Sequence, residues 1–289
     1  MRHVRYRPSR RSARGTADAS RSITQESVQM NNSVVIGELT WPEYAEKVAT
    51  GCPIFLPVGA LEQHGHHMCM EVDVLLPTAI CKAVAQNVSG LVLPALAYGY
   101  KSQQKSGGGN HFPGTTSLDG ATLTHTVQDI IRELARHGAR KLVMMNGHYE
   151  NSMFIVEGID LALRELRYGG IDDFKVVVLS YWDFVNDPAV IKQLYPEGFL
   201  GWDIEHGGVF ETSLMLALHP DKVDLSRAVD HPPARFPPYD VFPIIPERTP
   251  ACGTLSSPKG SSREKGELIL DVCVSGISAA VREAFDLTT

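Results

Sequence analysis

The chain has 289 residues, 43% of them hydrophobic, and a formal net charge of −6; this suits one large or two small globular domains and argues against a nucleic-acid binder, which would carry a basic face. No apolar run approaches the roughly 20 residues needed to cross a bilayer, and no signal-peptide core is present. Five cysteines without a C-x-x-C pair indicate neither a disulfide framework nor a thiolate zinc knuckle, and reduced thiols place the chain in the cytoplasm.

Residues 1–29 hold seven arginines against Asp18 and Glu26, leaving 20 basic and 31 acidic residues, −11, on the rest. This arginine- and serine-rich stretch cannot repay the entropy of ordering and reads as a disordered basic extension. Its composition overlaps that of organelle transit peptides, but an upstream extension of the reading frame, with Met30 as the start, is the favoured reading. Residues 30–289 are then the domain proper.

Within it, Thr40-Trp41-Pro42-Glu43 fits a capping box and predicts a short helix to about residue 49. The apolar run 54–58 predicts a buried strand with Glu62 and His64 beyond its carboxyl end. Residues 74–88 have helical spacing, which puts Asp73 just before the helix start. Residues 91–94 read as a strand leading into a long polar loop, 101–118, of the kind that is usually functional. Its Gly107-Gly108-Gly109 lacks phosphate-cradle spacing and reads as a mobile loop near the site, with Ser106 at its edge.

An amphipathic helix through Leu123, Val127, Ile131 and Leu134 closes at Gly138. A strand at 141–145 runs into Asn146-Gly147-His148, and a helix follows at about 151–167. The strand 175–179 delivers Tyr181 and Trp182. His206 sits in a glycine-bordered turn before a helix at 209–218, with Glu205 and Glu211 as nearby alternatives. The proline-rich stretch 231–250 reads as an ordered surface excursion or a subunit contact, and a last helix covers about 263–285. Alternating strands and helices of these lengths predict a single three-layer α/β/α domain with a mostly parallel central sheet.

Glu62-x-His64 and His148-x-Glu150 carry the chemistry. Residues two apart on an extended strand end point to the same side, and in open parallel sheets ligands bind outside the carboxyl ends of the strands. Two dications about 3.5–4 Å apart repel unless an anion lies between them, and Asp73 is the candidate bridge. Glu62 and His148 are assigned to one metal, His64 and Glu150 to the other. Such a pair can share a water, lower its pKa and aim the resulting hydroxide at a carbonyl. Each motif alone is weak, and helix-capping acids with satisfied core histidines would give the same letters. The shared placement at strand ends favours the metal site. His206 is the candidate proton donor, while Trp182 and Trp202 can stack on a flat substrate.

The segments LPVGALEQHGHHMCMEVDVLLPT, YGYKSQQKSGGGNHFPGTTSLDGATL, NGHYENSMF and GWDIEHGGVFETSLM resemble the creatininase (creatinine amidohydrolase) family over about residues 33–285. The resemblance implies a cyclic amidohydrolase that reversibly hydrolyses creatinine to creatine at a binuclear site holding Zn2+ and Mn2+, or two Zn2+. It implies Glu62, Asp73 and His148 as ligands of the exchangeable metal and His64, Asp73 and Glu150 as those of the zinc. It places Ser106, Tyr149, Trp182, Trp202, Asp203 and His206 against substrate. His206 and Glu150 are the implied catalytic residues, His206 protonating the leaving nitrogen, and the assembly implied is a homohexamer with neither nucleic-acid nor membrane partners. The rival readings are an amidohydrolase acting on a formamide or peptide-like amide, and a non-catalytic metal-binding scaffold.

Overall fold

Four parallel strands carry the fold in this computed structural model, which describes residues 32–288. The expected extension at 1–29 lies outside the described residues. The strands are β1 (Ile54–Val58), β2 (Leu91–Val92), β3 (Lys141–Asn146) and β4 (Lys175–Ser180), in the order β2-β1-β3-β4. Each lies close to its predicted run, although β2 stops short of Pro94, which has no N–H for a ladder. The register pairs Ile54 with Leu142 and runs on to Val58 with Asn146.

Alternation along the strands sends side chains to both faces, and both are covered. Ile54, Leu56, Val58, Leu142 and Met144 pack on α1 (Trp41–Ala49), α3 (Gly120–Arg136) and α4 (Ser152–Tyr168). Phe55, Val143 and Met145 pack on α2 (Val72–Asn87), α6 (Val209–Leu218) and α7 (Arg263–Phe285). The domain is therefore a three-layer α/β/α structure. A further helix, α5 (Pro188–Leu194), was not predicted; its signal is Asp187-Pro188, whose aspartate side chain accepts from the Ala189 N–H at 2.7 Å in the manner of an N-cap before a proline at N1.

The chain leaves β1 for β2 on one side and reaches β3 on the other, so the order reverses between β1 and β3. That crevice is where open α/β sheets bind ligands. The amino end of α2 fills its floor, and α2 begins at Val72, two residues earlier than predicted, so Asp73 lies in its first turn. A carboxylate is favoured there by the helix dipole. Pro77 has no N–H to give the Asp73 carbonyl, and that carbonyl rests against the backbone of Gly59 and Gly147, where a Cβ on either glycine would fall well inside contact distance. These two glycines let the helix end wedge between the ends of β1 and β3. Gly147→Ala is expected to cost about 1–3 kcal/mol through this overpacking, measurable by denaturant unfolding; an unchanged midpoint would show that the crevice yields.

Candidate metal centre and active site

Two strand ends, two helix ends and one loop build the site. Beyond β1 come Glu62 and His64; beyond β3, His148 and Glu150; the first turn of α2 gives Asp73 and that of α6 gives Glu211. Glu62, His64, Asp73, His148 and Glu211 are all buried.

The two imidazoles are oriented alike. Each rests one ring nitrogen on a backbone carbonyl and turns the other toward Asp73. His148 Nε2 lies 3.0 Å from the Tyr100 carbonyl, leaving Nδ1 3.1 Å from Glu62 and 3.2 Å from Asp73 Oδ2. His64 Nδ1 lies 3.1 Å from the Glu62 carbonyl, leaving Nε2 3.0 Å from Asp73 Oδ1 and 3.7 Å from Glu211. A carbonyl partner on the far nitrogen is how proteins fix the tautomer of a metal-binding histidine.

Asp73 thus offers one oxygen to each imidazole. Donor atoms within 4.8 Å of one another form the groups Glu62–Asp73–His148 and His64–Asp73–Glu211, which share Asp73, and a third group of Glu62, His64 and His206. Despite these short distances His64 Nε2 and Asp73 Oδ2 have no well-aligned hydrogen bond, and buried Glu150 Oε2 has none either, a condition native interiors avoid unless another ligand completes them. The charges point the same way. Burial works to keep His64 neutral, yet Asp73 and Glu211 outweigh it and hold its pKa well above the imidazole range. Glu62 and Glu150 do the same to His148. Burial likewise opposes ionisation of Glu62 and Asp73, but the imidazoles around them keep both carboxyls below their usual range. Buried carboxylates that draw protons onto both histidines make a place for positive charge, and dications fit it with the imidazoles left neutral.

The geometry departs from the expected ligand set at one residue. Glu150 belongs to none of the three donor groups. It faces His148 Nε2 at 3.4 Å, on the opposite side of the ring from the nitrogen turned to Asp73, and accepts the Gln103 N–H at 2.8 Å. Burial raises its carboxyl pKa. Glu211 takes the place expected of it beside His64. A signal for Glu211 was present in the sequence: it is the one charged residue in the apolar helix VFETSLMLAL, and a carboxylate is almost never buried without a partner.

Tyr149, Trp182, Trp202 and His206 wall the pocket above the donor cluster, together with Glu205 and Phe210. Ser106 and Asp203 do not line it. The Ser106 hydroxyl accepts the Val241 N–H at 2.6 Å and donates to Asp240 at 3.2 Å, and Asp203 is exposed. The triglycine loop, expected to be mobile, is buried and pinned by the 231–250 excursion, with the Thr249 hydroxyl on the Gly108 carbonyl at 3.0 Å. This clamp holds Gln103 on Glu150 and Ser102, whose buried hydroxyl donates to Glu62. Ser102→Ala is expected to weaken metal binding at the Glu62 group by about 10–100-fold, the usual effect of removing a partner that orients a ligand; titration of apo protein with Zn2+ or Mn2+ checks it. His67, unassigned from sequence, is buried with its pKa pushed down to about 4 by burial and supports α6 through Thr212 at 2.9 Å.

Known proteins are similar to this chain. The creatinine amidohydrolase of Pseudomonas putida is 80% identical over 260 residues, 90% of this chain and 100% of that protein. Two solved structures of mutant creatininases align closely: one of Zn-Zn type at TM-score 0.86 and 79% identity, covering 89% of this chain and 99% of its own, and one complexed with creatine at TM-score 0.85 and 81% identity, covering 88% and 99%. The creatininase family (creatinine amidohydrolase) matches residues 37–281, which includes every residue of the site, and the chain therefore belongs to that family.

Proposed function

We propose that the chain is a binuclear-metal cyclic amidohydrolase that opens the ring of creatinine to creatine, reversibly. The observation that carries this reading is Asp73, shared between two donor groups on the floor of a pocket walled by two indoles. Glu62 and His148 complete one group and His64 and Glu211 the other, suited to Zn2+ with Mn2+ or to two Zn2+. When bound, such ions acidify water and polarise a carbonyl. The chain's own residues do the rest. Trp182 and Trp202 offer faces for a flat, partly apolar ring. Glu150, nearly buried, takes a proton from the water that adds to the ring carbonyl. His206 gives a proton to the ring nitrogen as the C–N bond breaks, so the product carries the elements of water across that bond.

The same reading makes residues 30–289 the catalytic domain of a cytoplasmic homohexamer and 1–29 a basic extension outside it. Tyr239, Phe242 and Ile245 on the proline-rich excursion are exposed and suit a subunit contact. No helix among the described residues is long and apolar enough to cross a membrane. Chelation is expected to abolish creatinine hydrolysis, and added Zn2+ or Mn2+ to restore it, with two ions bound per chain at full activity. Turnover of formylated amines or short peptides but not creatinine would overturn the substrate assignment.

A further inference from the structure

His206 is followed by Gly207, at φ +65°, and Gly208. Two glycines give the backbone the greatest freedom of any pair, so the direction of this imidazole depends on contacts, one of them Nε2 on the Gln63 carbonyl at 2.8 Å. The residue before it is differently placed. The Glu205 carboxyl is spent on three protein donors from three parts of the chain. Oε1 accepts the Tyr195 hydroxyl, at the end of α5, and the Phe210 N–H, in the first turn of α6, at 3.2 Å. Oε2 accepts the Ser256 hydroxyl at 3.2 Å. At Gly208 a Cβ would collide with this oxygen, so the carboxylate fills space that only glycine leaves. The Ser256 segment also reaches His206 directly, through the Leu255 N–H on the His206 carbonyl at 2.9 Å. Beyond the turn, Nε2 of His206 rests on the Gln63 carbonyl and the Gly207 N–H on Glu211 at 2.6 Å, so Glu205 and its partners anchor the turn from the side opposite the metal donors.

We infer that Glu205 is a positioning residue: although it stands in the pocket wall, both oxygens of its carboxylate are taken up by Tyr195, Ser256 and the α6 backbone, and it helps fix His206 for proton delivery rather than binding substrate. This rests on the hydrolytic role proposed for His206. Misplacing a reacting group by about 1 Å can cost on the order of 10²-fold in rate, while a substrate held by indoles and metal donors should bind as before.

The test uses full-length, metal-loaded protein with creatinine as substrate and creatine as the binding probe. Glu205→Gln keeps the shape and one acceptor oxygen but replaces the other with an NH2 group, so the hydrogen bond donated by Ser256 or those donated by Tyr195 and Phe210 must be reversed or lost. Tyr195→Phe removes one donor from the other side and covers the case in which Glu205→Gln fails to fold. Both are expected to lower kcat by about 10–100-fold, with KM and the creatine Kd within about twofold, metal content unchanged, and the double variant no worse than the poorer single one. A raised KM in Glu205→Gln alone would mean that Glu205 binds the substrate and would overturn the inference. Unchanged kcat in both variants, or losses that multiply in the double variant, would also overturn it. Failure of the wild-type protein to hydrolyse creatinine would instead refute the proposed function, and that control separates the two.

Discussion

Asp73→Asn is expected to be the most damaging isosteric change in this chain. The side chain keeps its size, but the site loses the one anion that both donor groups share. Paired dications then repel without compensation, and bound metal should fall from two ions per chain to one at most. Metal polarisation is worth several kcal/mol of transition-state stabilisation; at about 1.4 kcal/mol per factor of ten, creatinine hydrolysis should drop by about 10³ or more. Elemental analysis and turnover on one preparation read both effects. Retention of two ions by the variant would remove Asp73 as the bridge and, with it, the binuclear reading.

A paired experiment on Glu150 and Glu211 gives the second large effect and decides which acid is a ligand. Glu211 stands 3.7 Å from His64 Nε2, and its other oxygen accepts the Gly207 N–H at 2.6 Å, which aims the carboxylate at the cluster. Glu211→Gln should therefore lose one metal ion. Glu150 lies outside the donor groups, behind His148, with a carboxyl whose pKa is raised chiefly by burial, as suits a group that takes up and returns a proton. Glu150→Gln should keep both ions and lose turnover by about 10²–10⁴, the range for general acid–base groups. The reverse pattern, metal lost from Glu150→Gln and kept by Glu211→Gln, would restore the ligand set expected from sequence.

The reason Glu150 stands apart from the donor groups is local geometry. The i, i+2 rule holds for extended chain, and His148 is extended, but Tyr149–Asn151 is a 3-10 turn. About three residues per turn carry position 150 away from the side that His148 faces. At Glu62 and His64 the chain past β1 has no helical turn, and both side chains reach Asp73's neighbourhood. Ser106 shows a similar limit. Its place at the edge of a polar loop is readable, but the excursion far downstream takes up its hydroxyl.

What the chain determines by itself is whatever depends on neighbours along it. Apolar runs set the four strands, 3.6-residue spacing sets the long helices, and the capping box at Thr40, with the Glu43 carboxylate accepting from both the Thr40 N–H and its hydroxyl, sets where α1 starts. The carboxyl ends of β1 and β3 are the place for chemistry because a parallel sheet that changes direction there must leave a crevice. Only the tertiary structure decides which acids share that crevice. Asp73 enters it because Gly59 and Gly147 let the end of α2 approach two strands, and Glu211 enters because α6 packs beside α2. A donor set is a matter of directions and distances among segments remote in sequence, and these are fixed by packing, which no local pattern encodes.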